Sequence, residues 1–251
     1  MSRLRIIDGT YLKLFAALLM LIDHIGLILF PNILVFRIIG RLSFPIFAFM
    51  ISEGAKYTKN KVRYLLTMLL FGVFCQVVLF LATGSLLMCI LITFSASTLL
   101  IFEMQYFKTC LFDSSCPKLK TAISLLIFLL SVGIMAALNY VPYFRLTLGL
   151  SFDGGFAGCL APVFASLFVF RGTPAPENLK KLDNIPARLL SFALPLLALI
   201  TISSIQWVSL FAIIPLLFYS ERRGRLSLKY FFYIFYPVHL GALWLIFMLI
   251  Q

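Results

Sequence analysis

Charged side chains are scarce. Asp, Glu, Lys and Arg make up 12% of the 251 residues, against roughly a quarter in a soluble domain. Acids are scarcer still: nine Asp and Glu stand against 21 Lys and Arg, for a net charge of +12. So little charge leaves too few groups to solvate a water-facing surface, which excludes an ordinary soluble domain. Histidine occurs only twice, and no Cys/His/acid spacing suited to a metal is present. No internal repeat stands out, which weighs against the inverted-repeat transporters.

What fills the chain is apolar: 62% hydrophobic residues, 27 of them Phe. The basic residues do not gather on one face or tail as nucleic-acid binding requires. They recur in short clusters between apolar runs, the pattern of loops held on the cytosolic side of a membrane. Of five cysteines, Cys75, Cys89 and Cys159 fall in apolar runs and read as small packing residues. Cys110 and Cys116 share a polar loop on the cytosolic side, where a disulfide is not expected. The first apolar run lacks a small-residue cleavage site and reads as a retained helix rather than a signal peptide.

Nine segments are candidates to cross a bilayer core of roughly 30 Å: Leu12–Phe30, Ile33–Ser52, Tyr64–Ala82, Leu86–Phe102, Thr121–Tyr140, Gly154–Phe170, Arg188–Ser203, Ile205–Tyr219 and Tyr230–Ile250. The seventh and eighth are short, contain Pro195 and Pro215, and read equally as a tilted or re-entrant hairpin; parity is unchanged. With the N-terminus inside, 18 of the 21 basic residues fall on the cytosolic side. Those 18 include Arg3, Arg5, Lys13, Lys56, Lys108, Arg188 and the Arg222–Arg225 cluster; Arg37, Arg41 and Arg145 are the other three. The expectation is an all-α, polytopic transmembrane helix bundle of about nine spans, N-terminus cytosolic and C-terminus external, with residues 1–251 as one domain.

Ionisable groups inside spans are costly and mark protein interiors or wet cavities. Both histidines, His24 and His239, fall inside predicted spans, as do Asp23 and Arg41, with Asp153 nearby. At ~1.5 Å per residue, His24, Arg41 and His239 sit roughly 9, 12 and 15 Å below the outer ends of their helices. Asp23 shares the depth of Arg41, so the two can pair. Being adjacent to His24, Asp23 need not be the group that orients it. The pair reads either as part of a catalytic cavity or as an ion bridge fixing helix packing. Lys13 and His24 form Lys-x10-His. Eleven steps of about 100° return to nearly the same helix face, about 16 Å further along the axis. A cation at the cytosolic mouth suits phosphates, and a histidine one pantetheine length deeper suits a base acting at a thioester. A lysine at a helix end is equally an interfacial anchor.

Three stretches together resemble the TraX family of conjugal-transfer membrane proteins: LKLFAALLMLIDHIG (Leu12–Gly26), FRIIGRLSFPIFAFMISEG (Phe36–Gly54) and KYFFYIFYPVHL (Lys229–Leu240). The DHIG, GR-x-SFP-x-F and FYP-x-H elements carry the likeness, with echoes at Ile90–Ser97, Phe152–Gly158 and Trp207–Gly224. The resemblance implies acetylation of pilin N-termini at the bacterial inner membrane with acetyl-CoA as donor. It also implies kinship with wider transmembrane acyltransferases, whose Arg/Lys-x10-His element would here be Lys13 and His24. On that basis the catalytic set is His24, His239, Asp23 and Arg41, with Arg41 or His239 steadying an oxyanion. The donor-binding set is Lys13, Arg37, Arg222 and Arg223, and no metal is required. The acceptor is a pilin or other peptide N-terminus, or an envelope molecule. A proton-coupled transporter or flippase, and a non-catalytic assembly factor, are the competing readings.

Overall fold

A computed structural model gives the structure over residues 6–224 and 228–250; Arg3, Arg5 and Arg225 lie outside the described residues. Among these, the chain is helical with no sheet strand. The helices are α1 (Gly9–Ile28), α2 (Leu34–Gly40), α3 (Ser43–Tyr57), α4 (Lys61–Thr83), α5 (Ile90–Phe112), α6 (Lys118–Tyr140), α7 (Gly155–Ala165), α8 (Glu177–Lys180), α9 (Ile185–Leu199), α10 (Ile213–Leu217) and α11 (Lys229–Ile250). A 3₁₀ segment, Ser204–Ala212, runs directly into α10.

Six helical stretches are long and apolar enough to cross a membrane, as a multi-pass protein requires: α1, α2 with α3, α4, α5, α6 and α11. The three remaining predicted spans are shorter apolar helices, Gly155–Ala165, Ile185–Leu199 and Ser204–Leu217. Fifteen α-helical residues reach only ~22 Å. Local chemistry sets the ends: the Asp8 carboxylate accepts from Thr10 N and Tyr11 N at the start of α1, and Asn60 caps α4 from Arg63 N at 2.8 Å. Gly84 closes α4 in the left-handed region, φ 67°.

Two expectations change. The predicted second span is not continuous: it breaks at Arg41–Leu42 between α2 and α3. Pro45 explains the position, because it has no N–H for the Arg41 carbonyl and its ring crowds that carbonyl four residues back. The joint is tightened instead by bonds from Arg41 N to Ile38 O and Leu42 N to Ile39 O, each 3.3 Å. The predicted fourth span ends too early. α5 continues ten residues beyond Phe102, which carries Lys108 out of its expected loop and into a helix.

The chain forms two compact units, Met1–Met50 with Leu196–Gln251, and Ile51–Pro195. In the first, α1 packs on α2 and on α11. Ile7 N donates to Phe218 O and Gly9 N to Arg222 O; Lys13 Nζ lies over the Phe232 ring; His24 meets His239. Contacts that advance together along both segments make α1 and α11 parallel neighbours.

In the second unit α5 is the central helix: 56% of its apolar window is buried, against 11% for α6 and 17% for α4. Leu100, Ile101 and Met104 of α5 pack with Met135 of α6 and Cys159 and Val163 of α7. Polar groups knit this core. Arg188, in the first turn of α9, is wholly buried. It pairs with Glu53, donates to Ser52 Oγ (3.0 Å) and to Ala165 O (2.9 Å), and Ser52 Oγ shares a 2.7 Å bond with Ser166 Oγ. Lys108 is also buried and donates to the carbonyls of Ser166, Leu167 and Val169 just past α7. Helix ends leave such carbonyls without intrahelical donors, so a lysine there is well used. Asp153 belongs to this unit, where its backbone N donates to Thr93 Oγ1. Glu103, an acid inside a spanning helix that the sequence reading passed over, accepts from Ser131 Oγ at 2.9 Å.

Candidate functional site

The first unit brings the intramembrane polar residues together on α1, α2 and α11. α1 turns Asp23 and His24 in different directions, as adjacent helical positions must. Asp23 faces α2. Its Oδ1 and Oδ2 accept from Arg41 Nη2 at 2.8 and 3.0 Å, and Oδ2 also accepts from Arg37 Nη1 at 2.6 Å. Arg41 Nε donates to the Arg37 carbonyl at 3.3 Å. The Asp23–Arg41 pair is therefore present, with Arg37 as a third member. Arg37 was expected among the donor-binding residues beside Lys13; it lies instead on Asp23, ten residues, or ~15 Å, further along α1. Its spacing from Arg41, one helical turn, was the signal that could have found it.

Two glycines make this approach possible. A Cβ on Gly40 would overlap the Asp23 side chain, and a Cβ on Gly26 would overlap Phe36 Cβ. The glycines of DHIG and GR-x-SFP thus let α1 and α2 come close, the role small residues play at membrane helix interfaces. Ser43 Oγ adds a 2.8 Å bond to Ala16 O. Pro45 places the helix break at Arg41, so the guanidinium sits at the end of α2.

His24 faces α11. Its Nδ1 lies 3.0 Å from His239 Nε2 and 2.9 Å from Met20 O. The ring centroids are 4.9 Å apart at 53°. His239 Nδ1 donates to Phe235 O at 2.7 Å, and the Phe235 ring stacks on the His239 ring at 4.6 Å and 15°. Tyr236 stands edge-on to both histidines, 6.5 Å from His24 and 5.9 Å from His239. FYP-x-H is thus a cradle: Phe235 supplies a carbonyl and a ring face, Tyr236 an edge. Phe235 was marked in the sequence only as the first residue of FYP-x-H, without a role, and Met20 carried no signal, because it acts through its carbonyl alone.

The remaining site residues gather at the other end of α1. Arg222 O and Arg223 O accept from Gly9 N and Thr10 Oγ1, each at 2.8 Å. This ties the arginine pair to the first turn of α1, one turn before Lys13. Asp8 already occupies the α1 amide donors, so an anion arriving there meets basic side chains rather than a helix terminus. Lys13 and His24 both touch α11, at Phe232 and His239, as residues on one helix face should. Among the described residues there is no group of three or more His, Cys, Asp or Glu able to hold a metal ion.

Comparison with known proteins bears on the family of the chain. A stretch of 66 residues is 41% identical to "Uncharacterized protein RP591" of Rickettsia prowazekii (strain Madrid E), covering 26% of this chain and 25% of that protein. The match therefore spans about a quarter of the relative's length. No solved structure matches. The family model described as TraX protein matches residues 8–247, from the Asp8 cap of α1 to the last turns of α11. With the match running over nearly the whole chain, the chain belongs to the TraX family.

Proposed function

We propose that the protein is a membrane acyltransferase of the bacterial inner membrane that moves an acetyl group from cytosolic acetyl-CoA to an acceptor amine or hydroxyl. One observation carries this reading. His24 is held at Nδ1 while its Nε2 has no partner among the described residues, and Lys13 lies on the same helix face one pantetheine length away. The donor's phosphates meet Lys13, Arg222 and Arg223, and its thioester reaches His24. His24 Nε2 takes the proton of the acceptor as the acceptor's nitrogen or oxygen bonds to the acetyl carbon. The C–S bond breaks, and the departing CoA sulfur receives the proton from His24. Both nitrogens of His239 are engaged, so stabilisation of the oxyanion falls to Arg41, fixed by Asp23. Acceptors are expected to be peptide N-termini, pilin included, or envelope hydroxyls and amines. Purified protein incubated with labelled acetyl-CoA and a panel of such acceptors should release CoA only when an acceptor is present. Intact acetyl-CoA with every acceptor, together with solute movement in proteoliposomes, would replace the enzyme by a transporter.

Lys13→Ala should raise the KM for acetyl-CoA several-fold with little change in kcat, because a phosphate contact remote from the reacting carbon binds ground and transition states alike. An unchanged KM would leave Lys13 as an interfacial anchor.

The parallel run of α1 and α11 supports an odd number of crossings. Between them lie four long spanning stretches, so an odd number of the three shorter apolar helices must also cross. That gives nine spans, or seven with one re-entrant pair. The distribution of basic residues favours a cytosolic N-terminus. Reporter fusions near Gly84 and Arg145 should behave as external and those after Lys61 and Lys118 as cytosolic; a cytosolic signal at Gly84 would reverse the assignment.

A further inference from the structure

The three contacts of the histidine pair constrain where its protons sit. A carbonyl oxygen only accepts, so the 2.7 Å contact to Phe235 O requires a proton on His239 Nδ1. In a neutral ring the other nitrogen, Nε2, is then bare. The 2.9 Å contact to Met20 O likewise requires a proton on His24 Nδ1. That N–H is shared between Met20 O and the bare Nε2 of His239, 3.0 Å away. Reversing either ring sets a nitrogen lone pair against a carbonyl lone pair, so two Nδ1 protons satisfy all three contacts and no other neutral assignment does.

We propose that His239 is a positioning residue: its bare Nε2, together with Met20 O, accepts from His24 Nδ1–H and so keeps the lone pair of His24 on Nε2, the nitrogen without a partner among the described residues. This rests on the acyl-transfer reading for its consequence. His239 fills the place that a carboxylate takes beside a catalytic histidine, the third group that orients the base. A neutral imidazole suits a membrane interior, because a carboxylate there would be one more charge to compensate. Asp23, the acid next to His24 in the chain, is committed to Arg37 and Arg41. When His24 takes a proton on Nε2, the same His239 nitrogen and the Met20 carbonyl accept from a cationic donor, and such bonds are stronger than neutral ones. Phe235 holds the partner ring by stacking against it and by accepting its Nδ1–H, which accounts for its place in the FYP-x-H element.

Two histidines in the chain mean only four ring nitrogens, so histidine-selective ¹⁵N NMR of the detergent-solubilised protein reads the assignment directly. The expected result is a protonated Nδ1 and a bare Nε2 on both rings at neutral pH, without substrate. His239→Gln places an amide oxygen about where Nε2 lies. It should keep the His24 proton on Nδ1 and keep kcat within about five-fold of wild type. His239→Leu removes one of the two acceptors and leaves Met20 O alone; it should raise the share of the Nε2–H form of His24, with kcat down about 10²-fold and the KM for acetyl-CoA unchanged. A wild-type His24 protonated on Nε2 would overturn the proposal. So would a folded His239→Gln as inactive as His239→Leu, which would make His239 itself the proton carrier. If His239→Leu does not fold, the wild-type spectrum and His239→Gln still decide. Expected tautomers in a protein that transfers no acetyl group would leave the assignment standing and remove the acyl-transfer reading.

Discussion

His24→Ala is expected to lose acetyl transfer by at least about 10²-fold, and by as much as about 10⁴-fold, while still binding acetyl-CoA. That range is what a positioned general base contributes. The separation of the two effects follows from the geometry along α1. Lys13 and the carbonyls that tie Arg222 and Arg223 lie at one end, and His24 lies eleven residues, or ~16 Å, beyond Lys13. Removing the imidazole leaves the proposed donor-binding end untouched. It also deletes the hydrogen bond to His239, so folding must be checked by gel filtration in detergent, and His24→Asn, which keeps a donor near Nδ1 and lacks the Nε2 base, makes the cleaner comparison. Calorimetric binding of CoA should be unchanged in both. A monodisperse His24→Asn protein that acetylates at near the wild-type rate would remove His24 from the chemistry.

Parts of this site were legible in the sequence and parts were not. Helical rise and twist were enough to put Lys13 and His24 on one face and Asp23 at the depth of Arg41, because both relations follow from geometry along a single helix or from matched depths on helices joined by a short turn. The break at Arg41 was readable in principle: Pro45 forbids the bond to the Arg41 carbonyl. Apolar residues continue on both sides of Gly40–Leu42, however, and hydropathy does not register a lost hydrogen bond. The contact between His24 and His239 could not be read, since hydropathy and charge bias order the spans without saying which become neighbours. The bond of Arg37 to Asp23 was not read, because Arg37 was not weighed as the i−4 partner of Arg41. The length of α5 was missed for a related reason. Glu103 and Lys108 look like loop residues when counted as charges. In the structure Glu103 meets Ser131, and Lys108 meets the carbonyls beyond α7.

The burial of Arg188 was likewise not readable from its charge, and it leads to the largest stability effect expected in the molecule. Counted as a charge, Arg188 reads as an interfacial residue at the start of a helix, and it does lie in the first turn of α9. In the structure it is wholly buried, paired with Glu53, and bonded to Ser52 Oγ and Ala165 O. Removing one partner of a buried ion pair costs about 3–5 kcal/mol, because the other charge stays buried without compensation, whereas replacing both is close to neutral. Arg188→Met should therefore cost that amount, and a detergent melt should show loss of the cooperative transition or a large fall in Tm. Arg188→Met combined with Glu53→Gln should recover most of it: the methionine fills much of the arginine's volume, and the glutamine carries no charge. Its amide can donate to Ser52 Oγ or Ala165 O, both left without the guanidinium. If Arg188→Met melts like wild type, the pair contributes no stability. If the double variant is worse than the single, the guanidinium's bonds to Ser52 and Ala165 matter more than its charge. The pair lies in the unit formed by residues 51–195, while His24, His239, Asp23 and Arg41 lie in the other. The recovered double variant should therefore regain acetyl transfer along with its fold, whereas a well-folded His24→Asn protein should not.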